Sequence, residues 1–115
     1  MAVTPLAVVV EDTADHAALV RRYLEREGYE VFIACDAESA IAAFDDIDPA
    51  IAILDLLLPG ISGQECARLV QARFPRCFLV ISSVLDPADY PPADAALPKP
   101  IIGAHLREIV RRVTP

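Results

Sequence analysis

Five residues of this 115-residue chain have side chains suited to bond-making chemistry: Glu11, Asp12, Asp55, Ser82 and Lys99. Singly, each has an ordinary explanation. Asp12 could cap a helix, and Asp55 could serve a turn ahead of Leu58-Pro59-Gly60. Ser82 alone carries no information, since serine ends many strands. Lys99 could be a solvated surface lysine, although it is the only lysine beside nine arginines. Taken together they describe a site. Carboxylates crowded together repel one another unless a cation joins them. With no His or Cys among them, hard oxygen donors select Mg²⁺ or a similar ion, which is typically held by one or two carboxylates plus phosphate oxygens. A lysine at the same place complements a phosphoryl group, and a serine hydroxyl can donate to it. The chemistry that fits is phosphoryl transfer to or from an aspartate, whose carboxylate is a competent nucleophile for acyl-phosphate formation.

The elements that must bring these residues together are legible as an alternation. Apolar runs at 6–10, 31–35, 50–54 and 77–81 are each five residues long and rich in Val, Ile and Ala, as suits strands buried on both faces. Between them lie segments of helical period. Ala17, Val20, Leu24 and Glu27 mark a helix closed by Gly28, and Asp36 can cap one carrying Ala37, Ala40, Ile41 and Phe44. Ala67, Val70 and Phe74 share a face that ends at Pro75, and Ile102, Leu106, Ile109 and Val113 share another. Strands alternating with helices predict a single α/β domain over residues 1–115, a doubly wound parallel sheet with right-handed crossovers. Five strands, the fifth being the short run 95–97, favour the flavodoxin-like order 2-1-3-4-5. Ligands of such sheets bind beyond the carboxyl ends of the strands where the order reverses. Glu11 and Asp12 end the first strand, Asp55 the third, Ser82 the fourth, and Lys99 follows the fifth, so all point at one crevice.

Composition narrows the partners. Hydrophobic residues are 55% of the chain, too many for intrinsic disorder, yet no apolar run approaches the ~18 residues of a membrane span. The formal charge of −7 opposes direct contact with a nucleic-acid backbone. No signal peptide is read at the start, and Cys35, Cys66 and Cys77 are scattered, which suits buried thiols in a reducing cytoplasm.

The motif residues resemble those of response-regulator receiver domains over the whole chain. Asp55-Leu56-Leu57-Leu58-Pro59-Gly60-Ile61-Ser62-Gly63 is similar to the phosphorylation loop of that family, Val9-Val10-Glu11-Asp12 to its acidic pair, Leu97-Pro98-Lys99-Pro100 to its lysine–proline element, and Gly28-Tyr29-Glu30-Val31 to the opening of its second strand. The resemblance implies two-component signal transduction, with Asp55 as phospho-acceptor. It implies that Glu11, Asp12, Asp55 and the Leu57 backbone carbonyl hold Mg²⁺, directly or through water, that Lys99 contacts the phosphoryl group, and that Ser82 is the hydroxyl that moves onto it. It implies a sensor histidine kinase or histidine phosphotransfer protein as partner, no catalysis beyond the domain's own phosphorylation and dephosphorylation, a cytoplasmic location, and a cis Lys99–Pro100 bond.

The sequence departs from the family pattern in three places, a segment, a single residue and a pair. The stretch after Ser82 is short and holds Pro87, Pro91 and Pro92, so the fourth helix is expected to be degenerate or missing, at most about one turn opened by Asp86. Ala96 stands where the family usually carries an aromatic ring, and Leu57 and Val84 are apolar where many relatives are polar. The switch is therefore expected in Ser83, Val84 and the residues up to Asp94, mobile before phosphorylation and ordered after it, with Tyr90 docking in the ordered state. Other readings remain open. A haloacid-dehalogenase-like phosphatase needs a second Asp where Leu57 stands, and an FMN binder would be repelled by Glu11 and Asp12. A receiver-like interaction module that works without phosphorylation keeps every residue named.

Overall fold

The computed structural model describes residues 4–113. Leu6–Val10 forms β1, which pairs in parallel with β2 (Glu30–Ala34) on one side and β3 (Pro49–Leu54) on the other. β4 (Phe78–Ile81) and a two-residue β5 (Ala95–Ala96) extend the β3 side, giving the order β2-β1-β3-β4-β5. That is the doubly wound 2-1-3-4-5 sheet expected from the alternation. α1 (Ala14–Arg26) and α4 (Gly103–Arg111) cover one face, where Val20, Leu24, Leu106 and Ile109 pack on Ala7, Val9, Ile51, Ile53 and Val80. α2 (Ala37–Ala42) and α3 (Gly63–Arg73) cover the other, where Ala40, Cys66, Ala67 and Val70 meet Val8, Val10, Ala52, Leu54, Leu79 and Ile81. Successive strand residues feed opposite layers, so a central strand covered on both faces must be apolar throughout.

Several expectations change in detail. β2 is an edge strand, and its Val31, Phe32 and Ile33 are only half-buried. Cys66 and Cys77 are buried, and burial pushes their thiols up to about 11 and about 12. Cys35 is exposed, because it follows β2 at that edge instead of lying under a helix. Asp36 does cap α2, accepting the Ser39 N–H at 2.7 Å, but the helix ends at Ala42. Phe44 falls in the 3₁₀ turn Phe44–Asp46, and its ring still meets Phe74 edge-on at 5.1 Å. Among the described residues no helix is long and apolar enough to cross a membrane.

The connection from β4 to β5 carries only the 3₁₀ turn Pro87–Asp89, capped by Asp86, whose carboxylate accepts the Ala88 N–H. The missing fourth crossover helix is as expected, and side-chain hydrogen bonds hold the stretch in its place. The Gln71 side chain on α3 donates to the Pro92 carbonyl. The Asp94 carboxylate accepts the Leu79 N–H at 2.8 Å while its own N–H donates to the Leu79 carbonyl. Leu85 and Tyr90 pack against the core beneath α2 and α3. Side-chain anchors replace the helical ladder that the prolines forbid.

Tight packing at the start of α3 sets the height of the loop after β3. A Cβ on Gly63 would lie 2.3 Å from both the Asp55 carbonyl oxygen and the Leu56 Cα, which are main-chain atoms with nowhere to go. Gly63→Ala should therefore lower the stability of the folded chain by roughly 2 kcal/mol, since overpacking of this kind moves backbone. Denaturant unfolding measures the loss, and an unchanged midpoint would show that α3 is free to lift away.

Candidate functional site

The strand ladder runs on past the strand ends and fixes the chemical residues by main-chain bonds. Glu11 N–H donates to the Ala34 carbonyl, Asp55 N–H to Val10, Ser82 N–H to Leu54, Leu97 N–H to Ile81, and Lys99 N–H to Ser83. Alternation then fixes their side. Ala7 and Val9 on β1, Ile51 and Ile53 on β3, and Val80 on β4 face the α1/α4 layer. Two residues further on, Glu11, Asp55 and Ser82 fall on that same side, where Lys99 also arrives.

There the lysine closes the site. Lys99 Nζ donates to Asp55 Oδ2 at 2.9 Å and to Glu11 Oε1, and all three side chains are at most 7% exposed. Leu57 N–H donates to Asp55 Oδ1 at 3.1 Å, so Asp55 fills the turn role and the ion-pair role with different oxygens. Glu11 Oε2 accepts the Thr13 N–H. Asp12 is exposed and does not cap α1; Thr13 is the N-cap. One carboxylate oxygen from each of Glu11, Asp12 and Asp55 lies within 4.8 Å of the others. A donor set made only of carboxylates, at that spacing, fits a hard divalent cation such as Mg²⁺. Burial pushes the Glu11 carboxyl above its usual 4.5, although Lys99 and Thr13 bond to it. Burial works to lower the Lys99 ammonium, but its bonds to Glu11 and Asp55 outweigh that and hold it above 10.5.

Residues 7–111 match the family of response regulator receiver domains. The chain belongs to that family. It is 34% identical over 120 residues to the transcriptional regulatory protein TrcR of Mycobacterium tuberculosis, a match that takes in 95% of the chain and 47% of TrcR, so this receiver spans about half the length of that relative. Among solved structures it is similar to the response regulator TrrA of Thermotoga maritima, determined in complex with Mg²⁺ and a beryllium fluoride, with a TM-score of 0.86, 26% identity and 96% and 99% of the two chains covered. Its fold is also that of the chemotaxis response regulator CheY4 of Vibrio cholerae, with a TM-score of 0.87, 22% identity and 97% and 100% covered.

Of the residues singled out in the sequence, this receiver brings Glu11, Asp12, Asp55 and Lys99 into one cluster. Ser82 is buried, and its hydroxyl has no hydrogen-bond partner. Leu57 and Val84 are 51% and 64% exposed, and Ala96 is exposed on β5. The Lys99–Pro100 bond is cis, as the resemblance implied. Tyr90 differs from expectation, for its hydroxyl is already bonded to the Ser83 main chain in the unmodified protein. Two contributors went unread in the sequence. Glu38 on α2 accepts the Ile61 N–H and so braces the loop after Asp55, and His16 lies 3.7 Å from Glu11. Neither has a local signal, because both act across elements.

Replacing Lys99 leaves buried carboxylates without their cation. Lys99→Met should lower stability at neutral pH by about 3 kcal/mol, the usual range for breaking one side of a buried pair. A lysine whose folded value is raised stabilises fully below 10.5, and that share disappears as pH climbs through the higher folded value. The gap between parent and variant should therefore be constant from neutral pH to about pH 10 and shrink above it. Denaturant titrations across that range test the sign, and a gap that widens with alkali would contradict the pairing.

Proposed function

We propose that this receiver takes a phosphoryl group onto Asp55 from a phosphohistidine donor and alters its conformation to change what it binds. The observation that carries the reading is the buried Asp55 carboxylate, held by Lys99 amid two further carboxylates at strand ends. In the transfer an Asp55 oxygen forms a bond to phosphorus as the phosphorus–nitrogen bond breaks, and the imidazole, protonated on its other ring nitrogen, leaves as the neutral base. Glu11, Asp12, Asp55 and the Leu57 carbonyl would hold Mg²⁺, which when bound supplies positive charge for the phosphoryl oxygens. Asp55 gives up its own negative charge on phosphorylation, so the Lys99 ammonium is free to follow charge to the new phosphoryl oxygens. The Ser82 hydroxyl, unpartnered and buried, supplies a donor whose desolvation is unrelieved until such an acceptor appears.

The donor would be a sensor histidine kinase or a histidine phosphotransfer protein, and the site of action the cytoplasm. A net charge of −7 favours an output read by a protein over one read by nucleic acid directly. The receiver acts on no separate substrate, and its chemistry is confined to gaining and losing its own phosphoryl group.

Incubation with acetyl phosphate and Mg²⁺ should add one phosphoryl group by intact mass, and Asp55→Asn should remove the adduct. Mg²⁺ alone, at about ten times its Kd, should stabilise the fold by about 1.4 kcal/mol and raise Tm by roughly 5–10 °C. Asp12→Asn should blunt that rise without unfolding the chain. An adduct that survives Asp55→Asn would place the acceptor elsewhere, and a Tm indifferent to Mg²⁺ would remove the metal from the reading.

A further inference from the structure

Ser82 and Ser83 are adjacent and equally buried, yet their bonding is opposite. Ser82 Oγ has no partner. Ser83 has every polar group engaged. Its N–H donates to the Tyr90 hydroxyl at 3.1 Å, and its carbonyl accepts from that hydroxyl at 2.7 Å and from the Lys99 N–H at 3.0 Å. Its Oγ accepts the Leu85 N–H. A phenol can donate and accept at once, and here both functions go to one residue's main chain. The same carbonyl thus ties the lysine of the acceptor site and the ring of the β4–β5 connection to the residue after Ser82.

The ring belongs to a stiff piece of chain. Pro87, Pro91 and Pro92 fix φ around it, Asp86 caps the intervening turn, and Gln71 and Asp94 pin its far end. A shift of the Ser83 peptide reaches that piece through the Tyr90 hydroxyl. No other aromatic side chain lies in the connection, and Ala96 offers none on β5.

We propose that the Tyr90 hydroxyl is a latch on the Ser83 peptide that holds the resting conformation, and that Ser82, on reaching toward a phosphoryl group at Asp55, draws Ser83 out of it. The inference rests on Asp55 being the acceptor. Breaking the latch moves the ring and the proline-stiffened segment with it, so the state of Asp55 is read on the surface from Val84 to Asp94. Tyr90 acts through Ser83 and is a positioning residue.

Tyr90→Phe keeps the ring and deletes the latch. In the ligand-free protein it should speed amide exchange at Ser83 and Lys99 while the β1 and β3 amides stay protected. Whatever stabilises the resting state opposes the other state, so the same variant should bind beryllofluoride with Mg²⁺, a phosphoryl mimic, about fivefold more tightly than the parent. In a Ser82→Ala background Tyr90→Phe should leave that affinity unchanged, because the pull on Ser83 is gone. A hydroxyl with only a structural role would lower melting in Tyr90→Phe and leave beryllofluoride affinity alone, which overturns the latch. Equal or weaker beryllofluoride binding by Tyr90→Phe, with binding still abolished by Asp55→Asn, overturns the latch and leaves the acceptor assignment standing. Binding that persists in Asp55→Asn overturns the acceptor assignment, and the latch with it.

Discussion

One ammonium group holds this site together. Glu11 and Asp55 are carboxylates taken out of water, and burial pushes the Glu11 carboxyl above its usual range. Lys99 Nζ lies between them and is itself almost wholly buried. Removing Lys99 would leave both buried carboxylates without a partner, which is far more costly than the pairing is favourable. The arrangement therefore serves specificity. It keeps the two carboxylates side by side and presents Asp55 already paired with a buried cation.

That pairing is entirely non-local. Lys99 stands 88 residues from Glu11 and 44 from Asp55 in the chain, so no short segment can form it. The sheet performs the assembly. Glu11, Asp55, Ser82 and Lys99 each take a main-chain bond past the end of a strand, and the shared parity of β1, β3 and β4 aims Glu11, Asp55 and Ser82 at one side. The tight seat of Gly63 against the Asp55 carbonyl and the brace of Glu38 on the Ile61 N–H hold the following loop to the same frame. Precision at the site is a consequence of register and not of local loop structure.

The other distinctive feature lies where receivers of this fold would place a crossover helix. Prolines rule the helix out, and the chain compensates with side chains: Asp94 completes the bonding of Leu79, Gln71 grips Pro92, and Tyr90 closes on Ser83. A segment with few main-chain bonds of its own is thereby fixed to the two elements that flank it. The Tyr90 anchor sits on Ser83, next to the buried Ser82 hydroxyl that has no partner.

The alternation of apolar runs and helical faces determined the fold, and the position of polar residues at the ends of those runs determined where the site would be. Both are local signals, since a buried parallel strand must be apolar throughout and a ligand site must lie beyond its carboxyl end. The motif residues around Asp55 and Lys99 determined the family. Tertiary structure decided what depends on distance across the chain. It set Lys99 on Glu11 as well as on Asp55, left Cys35 exposed at the sheet edge, and ended α2 before Phe44. It also turned a proline-rich stretch into an anchored one, with the Tyr90 hydroxyl bonded to the Ser83 carbonyl. Composition and periodicity report whether a residue prefers water or the core, but a hydrogen bond between Tyr90 and Ser83 exists only once the sheet has placed both ends, and nothing in either residue's neighbours announces it.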